Sequence, residues 1–361
     1  MKVLILNWRD IKSPRGGGAE RVTHDVARGL VGGGHEVVWL SSAAGDAPRE
    51  EVIDGVRIVR RGSEATTRFY APGLARKEHP DVILEEINTL PYFAPVWAEA
   101  PVVLYINQLA RDVWWYEAPL VVAAGGYLFE PLYLKVYREV DVVTISRSTL
   151  SDLRSVGLRG RITIAPMAIE APPSNAFLPK PLRGAMVAIG RLTPSKRFGD
   201  AVRALESLRT THPDATLTLI GDGRERQQLA DLADELGVAD GVTFLGRASE
   251  GEKAQALAAA DVLVGTSVRE GWGLTITEAA LRGTPAVVYD IPGFRDAVIP
   301  YRTGYLVNAI PVALADGVRL LIADPIRYAE MQHAAFEGAV VRTVDDTAAA
   351  FEEVLVRACG A

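Results

Sequence analysis

Two basic residues and two acids, each just beyond an apolar run, are the part of this sequence best suited to chemistry. Arg191 and Lys196 lie in "GRLTPSKR" (190–197), directly after "AMVAI". A guanidinium and an ammonium converging on one diphosphate would neutralise the charge that grows as its bond to a sugar breaks, without a metal. Glu270 and Glu278 stand at the two ends of "EGWGLTITE" (270–278), with Gly271, Trp272 and Gly273 behind the first. The glycines admit a ligand close to the backbone, and a helix starting at Leu274 and Thr275 would offer N–H groups to an anion. Glu278, one turn further on, can aim a carboxylate at hydroxyls of the same ligand. A nucleotide sugar has both features, a diphosphate for the cations and helix start, and ribose and hexose hydroxyls for the acids. Taken alone, two acids at this spacing make an ordinary solvated face, and two bases in a loop are ordinarily solvated as well. Their position after apolar runs sets them apart.

Such residues converge only if those runs are strands of parallel α/β sheets, where ligands sit beyond the carboxyl ends. The pattern supports this. Lys2–Asn7 reads as a buried strand, Ala19–Leu30 as an apolar-periodic helix and "HEVVWLS" (35–41) as a second strand, a parallel pair with a right-handed crossover. Further strands are expected at Val82–Leu84, Val102–Ile106, Val142–Ile145 and Ile162–Ala165. "APPSNAFLPKPLRG" (171–184), with four prolines and little periodicity, reads as a linker. The pattern then restarts: strands at 185–192, 216–223, 242, 262 and 286, helices at Asp200–Leu208 and Arg224–Leu236, and "LTITEAALRG" as a helix closed by Gly283. The expected fold is α/β, two Rossmann-like domains facing each other across a cleft, spanning 1–170 and 185–342, with a C-terminal segment 343–361.

A chain of 361 residues that is 48% hydrophobic can bury two cores. A net charge of -6 argues against a nucleic-acid partner. The single cysteine, Cys359, excludes an internal disulfide framework and a cysteine-based zinc site, which fits a reducing cytoplasm. The apolar run before Asn7 is too short for a signal peptide, and no run is long enough to span a bilayer, so a soluble, cytoplasmic protein is expected. "APLVVAAGGYLFEPLYLKVY" (118–137) reads first as a buried helix; its second reading is a surface that meets a membrane or a lipid-linked substrate. None of the five histidines is spaced to share a metal with another ligand, so no metal site is expected. "GGGAER" (16–21) matches a dinucleotide fingerprint only in part, since Arg21 holds the third glycine position. "GDG" (221–223) reads as a plain turn more often than a binding element, and Trp114, Trp115 and Tyr116 either as an aromatic wall for an acceptor or as core.

In this order, "GGAERV", "DVVTISRSTLSDL" (141–153), "GRLTPSKR", "GDG" and the E-x7-E stretch resemble the large retaining glycosyltransferase family 4, of GT-B architecture, along nearly the whole chain. The resemblance implies a C-terminal domain that binds the nucleotide sugar, an N-terminal domain that binds the acceptor, and a C-terminal helix that crosses back to the first domain. It further implies that Arg191 and Lys196 hold the diphosphate, Glu270 contacts the transferred hexose and Glu278 the ribose. Gly17 and Gly18 would meet the phosphate or sugar from the other side. Two positions depart from the family pattern. Asn107, in "NQLARDVWW", stands where the family often has a histidine near the sugar, so an amide replaces a proton carrier. "PMA" (166–168) replaces the usual "PNG".

The expected activity is transfer of a hexose from a nucleoside diphosphate sugar to an acceptor hydroxyl, with retention and without a metal or resident cofactor. Sugar, lipid-linked and small-molecule acceptors all fit. The alternatives are a glycosyltransferase-like accessory or sugar-binding protein without catalysis, favoured by Asn107, and a nicotinamide oxidoreductase, disfavoured by the incomplete glycine fingerprint.

Overall fold

The computed structural model describes residues 1–13, 16–165, 167–169, 180–339 and 343–360. Along the chain the elements are β1 (Lys2–Leu6), α1 (Gly18–Gly32), β2 (Glu36–Ser41), β3 (Glu50–Ile53), β4 (Val56–Arg60), α2 (Ala71–Glu78), β5 (Val82–Glu86), α3 (Ala94–Trp97), β6 (Val102–Tyr105), α4 (Trp114–Glu117), α5 (Leu120–Tyr133), β7 (Asp141–Thr144), α6 (Arg147–Ser155) and β8 (Ile162–Ile164). There follow β9 (Ala185–Ile189), α7 (Phe198–Arg209), β10 (Thr216–Ile220), α8 (Arg226–Glu235), β11 (Val242–Gly246), α9 (Glu250–Ala259), β12 (Val262–Gly265), α10 (Leu274–Ala280), β13 (Ala286–Tyr289), α11 (Phe294–Ala297), β14 (Gly304–Val307), α12 (Pro311–Ile322), α13 (Pro325–Gly338) and α14 (Val344–Ala358). The chain divides into two compact units: Met1–Arg111, Ala124–Glu170 and Val341–Ala361 form the first, Asp112–Ala123 and Ala171–Val340 the second.

Unit 1 holds an eight-stranded sheet in the order β3-β4-β2-β1-β5-β6-β7-β8, parallel except for the edge strand β3. Val3–Leu6 of β1 are all fully buried, so both sheet faces are covered, as a parallel sheet requires. Strand order reverses between β1 and β5, and that is where such sheets bind ligands. The last helix, α14, belongs to this unit. Its Thr343–Asp346 capping box fixes the start, with Thr343 N–H donating to Asp346 Oδ2 at 2.9 Å and Asp346 N–H to Thr343 Oγ1 at 3.0 Å. Fully buried Phe351 meets the Tyr105 ring edge-on at 4.9 Å, and Arg357 Nε donates to Asp141 Oδ2 at 3.2 Å.

Unit 2 holds a six-stranded parallel sheet, β11-β10-β9-β12-β13-β14, whose order reverses between β9 and β12. Its core joins Met186–Ala188 of β9, Val262–Val264 of β12 and Ala286–Tyr289 of β13 to the apolar stripes of α7 and α12.

The structure corrects the sequence reading in several places. β3 and β4 form a hairpin around Asp54-Gly55, both at positive φ (50° and 81°), a hairpin signal that the sequence carried and the reading passed over. β14 is a further unexpected strand, and α10 ends at Ala280 rather than at Gly283. Segment 118–137 is not a buried helix: α5 leaves Leu128 66% and Phe129 63% exposed, with Leu120, Val121 and Leu132 exposed as well. Its one acid, Glu130, is buried alongside Ala123, Leu134 and Tyr137, accepting from the N–H groups of Ala110 and Arg111 at 2.7 Å each. Of the linker expected at 171–184, residues 171–179 lie outside the described residues, as do Pro166 and the expected boundaries at 170 and 342.

Candidate functional site

The loops after β9 and β12 carry three of the four charged residues singled out from the sequence, and these strands are neighbours at the reversal of the unit 2 sheet. The two loops are laced together. Val268 N–H donates to Ser195 O at 2.9 Å, and Thr266 Oγ1 donates to Lys196 O at 2.7 Å. Lys196 Nζ forms an ion pair with Glu270 Oε1, which also accepts from Ser267 Oγ at 2.6 Å; both charged side chains are about one-fifth exposed (22% and 21%). An ammonium has three N–H donors, so two remain for an anionic ligand. Arg191 is exposed, and its guanidinium makes no hydrogen bond or ion pair among the described residues. Lys196 and Glu270 thus meet as an ion pair, and Arg191 stands five residues before Lys196 on the loop after β9.

Glu278 has a different partner. On α10 it accepts from Lys253 Nζ of α9 at 2.8 Å, and Lys253 also pairs with Glu250. Burial lowers the Lys253 pKa, but the charge of Glu278 and the bonds to both acids outweigh it and hold the ammonium above its ordinary range. Gly273, at φ 104°, caps α10 in the left-handed region, and Leu274 and Thr275 form the first turn. The "GDG" turn packs on the loop after β9. A Cβ on Gly221 (φ 132°) would lie 1.9 Å from Gly190 O, so the loop presses directly on the one bearing Arg191, and Leu192 N–H donates to Asp222 O at 3.0 Å.

Sequence reasoning missed Ser267, Lys253 and, above all, Glu117. Residues 112–123 belong to unit 2, and Glu117 at the end of α4 accepts from Ser195 Oγ at 2.5 Å and from Ser195 N–H at 3.2 Å. Arg224 Nη2 donates to its other oxygen at 3.3 Å. Burial raises the Glu117 pKa, but the Ser195 bonds and Arg224 outweigh it and hold the acid below its ordinary range. Trp115 and Tyr116 are exposed on this segment rather than core. Nothing in the local sequence links residue 117 to residue 195.

In unit 1 the carboxyl ends of β1, β5 and β6 gather Asn7, Glu86 and Asn107. Asn107 Oδ1 accepts from Tyr105 Oη at 2.7 Å, and its Nδ2 faces Glu86 Oε1 at 3.4 Å. Glu86 is fully buried, and that burial pushes its pKa up to about 8. Gly17 precedes α1 and Gly18 begins it; the Gly17 N–H donates to Glu20 Oε2 at 2.7 Å, so the helix's own acid occupies a donor expected to face a ligand. Among the described residues no group of three His, Cys, Asp or Glu is placed to hold a metal, and no helix is long and apolar enough to cross a membrane.

Residues 16–171 match the family model "Glycosyltransferase Family 4", and residues 179–338 match "Glycosyl transferases group 1". The chain is 30% identical to a glycogen synthase of Mycobacterium tuberculosis, over 90% of this chain and 87% of that protein. It is 31% identical to a GDP-mannose-dependent phosphatidylinositol monomannoside mannosyltransferase of Mycolicibacterium smegmatis, over 55% of this chain and 57% of that one. HepE of Anabaena, solved with UDP and glucose, superposes with a TM-score of 0.76 at 19% identity, over 99% of this chain and 100% of that chain. WaaG, a glycosyltransferase of lipopolysaccharide biosynthesis, does so with a TM-score of 0.76 at 16% identity, over 98% and 99%.

Proposed function

The chain belongs to glycosyltransferase family 4, has the GT-B fold and is a sugar transferase that uses nucleotide-sugar donors; from that premise we propose that it moves a hexose from a nucleoside diphosphate sugar to an acceptor hydroxyl, with retention at the anomeric carbon and without a metal. Family membership sets aside the nicotinamide reading. The observation that carries the proposal is the Lys196–Glu270 pair at the carboxyl ends of β9 and β12, with Arg191, which has no partner among the described residues, on the same loop as Lys196.

On this reading unit 2 holds the donor. Arg191 and the two free N–H donors of Lys196 take the diphosphate, so positive charge is in place before the leaving group develops its own. Glu270, held by Lys196 and Ser267, accepts from a hexose hydroxyl. Glu278, steadied by Lys253, takes the ribose hydroxyls, and backbone groups of Gly273, Leu274 and Thr275 line the same loop. The bond from the anomeric carbon to phosphate breaks, the acceptor oxygen bonds to that carbon on the same face, and the acceptor proton passes to the departing phosphate oxygen. Unit 1 supplies the acceptor side through Asn107.

The acceptor or its carrier sits at a membrane surface on this reading. In unit 1, Leu128, Phe129, Leu132 and Val136 are exposed together with Leu90, Phe93 and Val96, and the Phe93 and Tyr133 rings meet edge-on at 6.4 Å, which joins the two groups. With Glu130 buried, the only exposed charge between residues 118 and 137 is Lys135; Arg138 and Glu139 follow it as an exposed ion pair at 3.5 Å, so the face carries one net positive charge, which favours an anionic lipid surface weakly.

The direct test incubates the protein with UDP, GDP, ADP and TDP hexoses, with and without chelator, and measures nucleoside diphosphate release and the anomeric configuration of the product. Release that survives chelation, with a product of the donor's configuration, is expected. An inverted product or dependence on divalent metal would refute those parts of the proposal.

A further inference from the structure

Where the unit 1 sheet reverses, the residues facing Glu86 are Asn7 of the β1 end, Glu20 and Thr23 of α1, Asn88 and buried Tyr92 beyond β5, and Tyr105 and Asn107 of the β6 end. Glu86 Oε2 lies 2.6 Å from Asn7 Nδ2 and 2.6 Å from Thr23 Oγ1. The Asn7 amide is oriented, because its Oδ1 accepts from Arg9 N–H and Asn88 Nδ2 at 3.1 Å each, leaving Nδ2 for Glu86. Thr23 Oγ1 also lies 3.1 Å from Ala19 O, one turn back along α1. A hydroxyl has one proton. Thr23 donates over the shorter contact to Glu86, and Ala19 O shares that proton at the longer distance.

Burial, rather than these bonds, favours a neutral Glu86. Glu86 is fully buried and has no ion pair among the described residues; Arg9 pairs instead with Glu20, at 3.6 Å. Burial first, and then the Glu20 charge, push Glu86 up to about 8, against the bonds from Thr23, Asn7 and Asn88. Tyr105, also fully buried, is held far above its ordinary range by burial and the Glu86 charge, so it stays neutral and donates to Asn107 Oδ1. That bond turns Asn107 Nδ2 toward Glu86, and the second N–H of Nδ2 has no partner among the described residues.

We propose that Glu86 is a positioning residue: as a neutral acid it leaves the Asn107 amide aimed at a sugar oxygen, and on ionising it draws that amide away. A carboxylate is the stronger acceptor, so the 3.4 Å contact would shorten at the expense of the Tyr105 bond. This rests on the reading that Asn107 meets the sugar on the acceptor side. An amide that carries no proton itself would then still give the enzyme a pH dependence, through the acid behind it.

The test combines spectroscopy with a pH profile. Wild-type protein at neutral pH should show a buried protonated-carboxyl infrared band that disappears in E86Q and titrates near pH 8. With the neutral acid as the working form and a pKa of about 8, kcat/KM should fall about tenfold between pH 7 and pH 9. E86Q, neutral at every pH, should lose that alkaline limb, and so should N107A, in which the signal has no carrier. Persistence of the limb in either variant, or absence of the band at neutral pH, would overturn the proposal. Should E86Q fail to fold, the wild-type band and the N107A profile decide. A titrating band in a protein that transfers no sugar would instead count against the proposed function and leave the proton assignment standing.

Discussion

Lys196→Ala separates a structural from a chemical role for the pair with Glu270. The ion pair is about one-fifth exposed on each side, and Glu270 keeps its bond from Ser267, so no buried charge is stranded. Partly exposed pairs of this kind contribute up to about 1 kcal/mol. In a unit of this size that lowers Tm by about 2–4 °C, which leaves nearly all the protein folded at assay temperature. The chemical cost is larger. Removing one preorganised partner of a developing charge lowers kcat by about 10²–10³-fold, or about 2.7–4 kcal/mol. Thermal unfolding and nucleoside diphosphate release on the same samples measure both. The reasoning fails if kcat stays within a few-fold of wild type, or if the loss of activity matches the fraction unfolded.

Other perturbations probe neighbouring claims. Arg191→Ala removes an exposed side chain with no partner among the described residues, so Tm should move by no more than about 1–2 °C while turnover falls at least about 100-fold; a thermal shift without a kinetic one would contradict the diphosphate role. Gly221→Ala places a Cβ 1.9 Å from Gly190 O at a φ of 132°, and should cost about 3 kcal/mol or more, lowering the Tm of unit 2 by about 6–12 °C; an unshifted melt would mean the two loops can part. Protein should sediment with vesicles containing phosphatidylglycerol, less so at high salt, and the double variant Leu128→Glu, Phe129→Glu should stay in the supernatant; equal sedimentation of both proteins would remove α5 from the membrane reading.

Most strands and helices were legible because parallel strands buried on both faces leave unbroken apolar runs, and helices leave a 3.6-residue stripe. The hairpin at Asp54-Gly55 was legible too, through its turn residues, though its charged strand β3 hid it. The helix at 118–137 misled because apolar composition reports what a segment is made of and not which side faces solvent; burying Glu130 while exposing Phe129 reverses the usual assignment. The sequence by itself determined which residue types stand at strand ends: Arg191, Lys196 and Glu270 in loops after apolar runs, and an amide at Asn107. Only the tertiary structure decided which of them meet. That Lys196 pairs with Glu270 while Glu278 goes to Lys253, that Glu117 reaches Ser195 and that Glu86 stands behind Asn107 all follow from strand order and crossover geometry. Those contacts join residues far apart in sequence, and no local pattern of residues encodes a distance across a sheet.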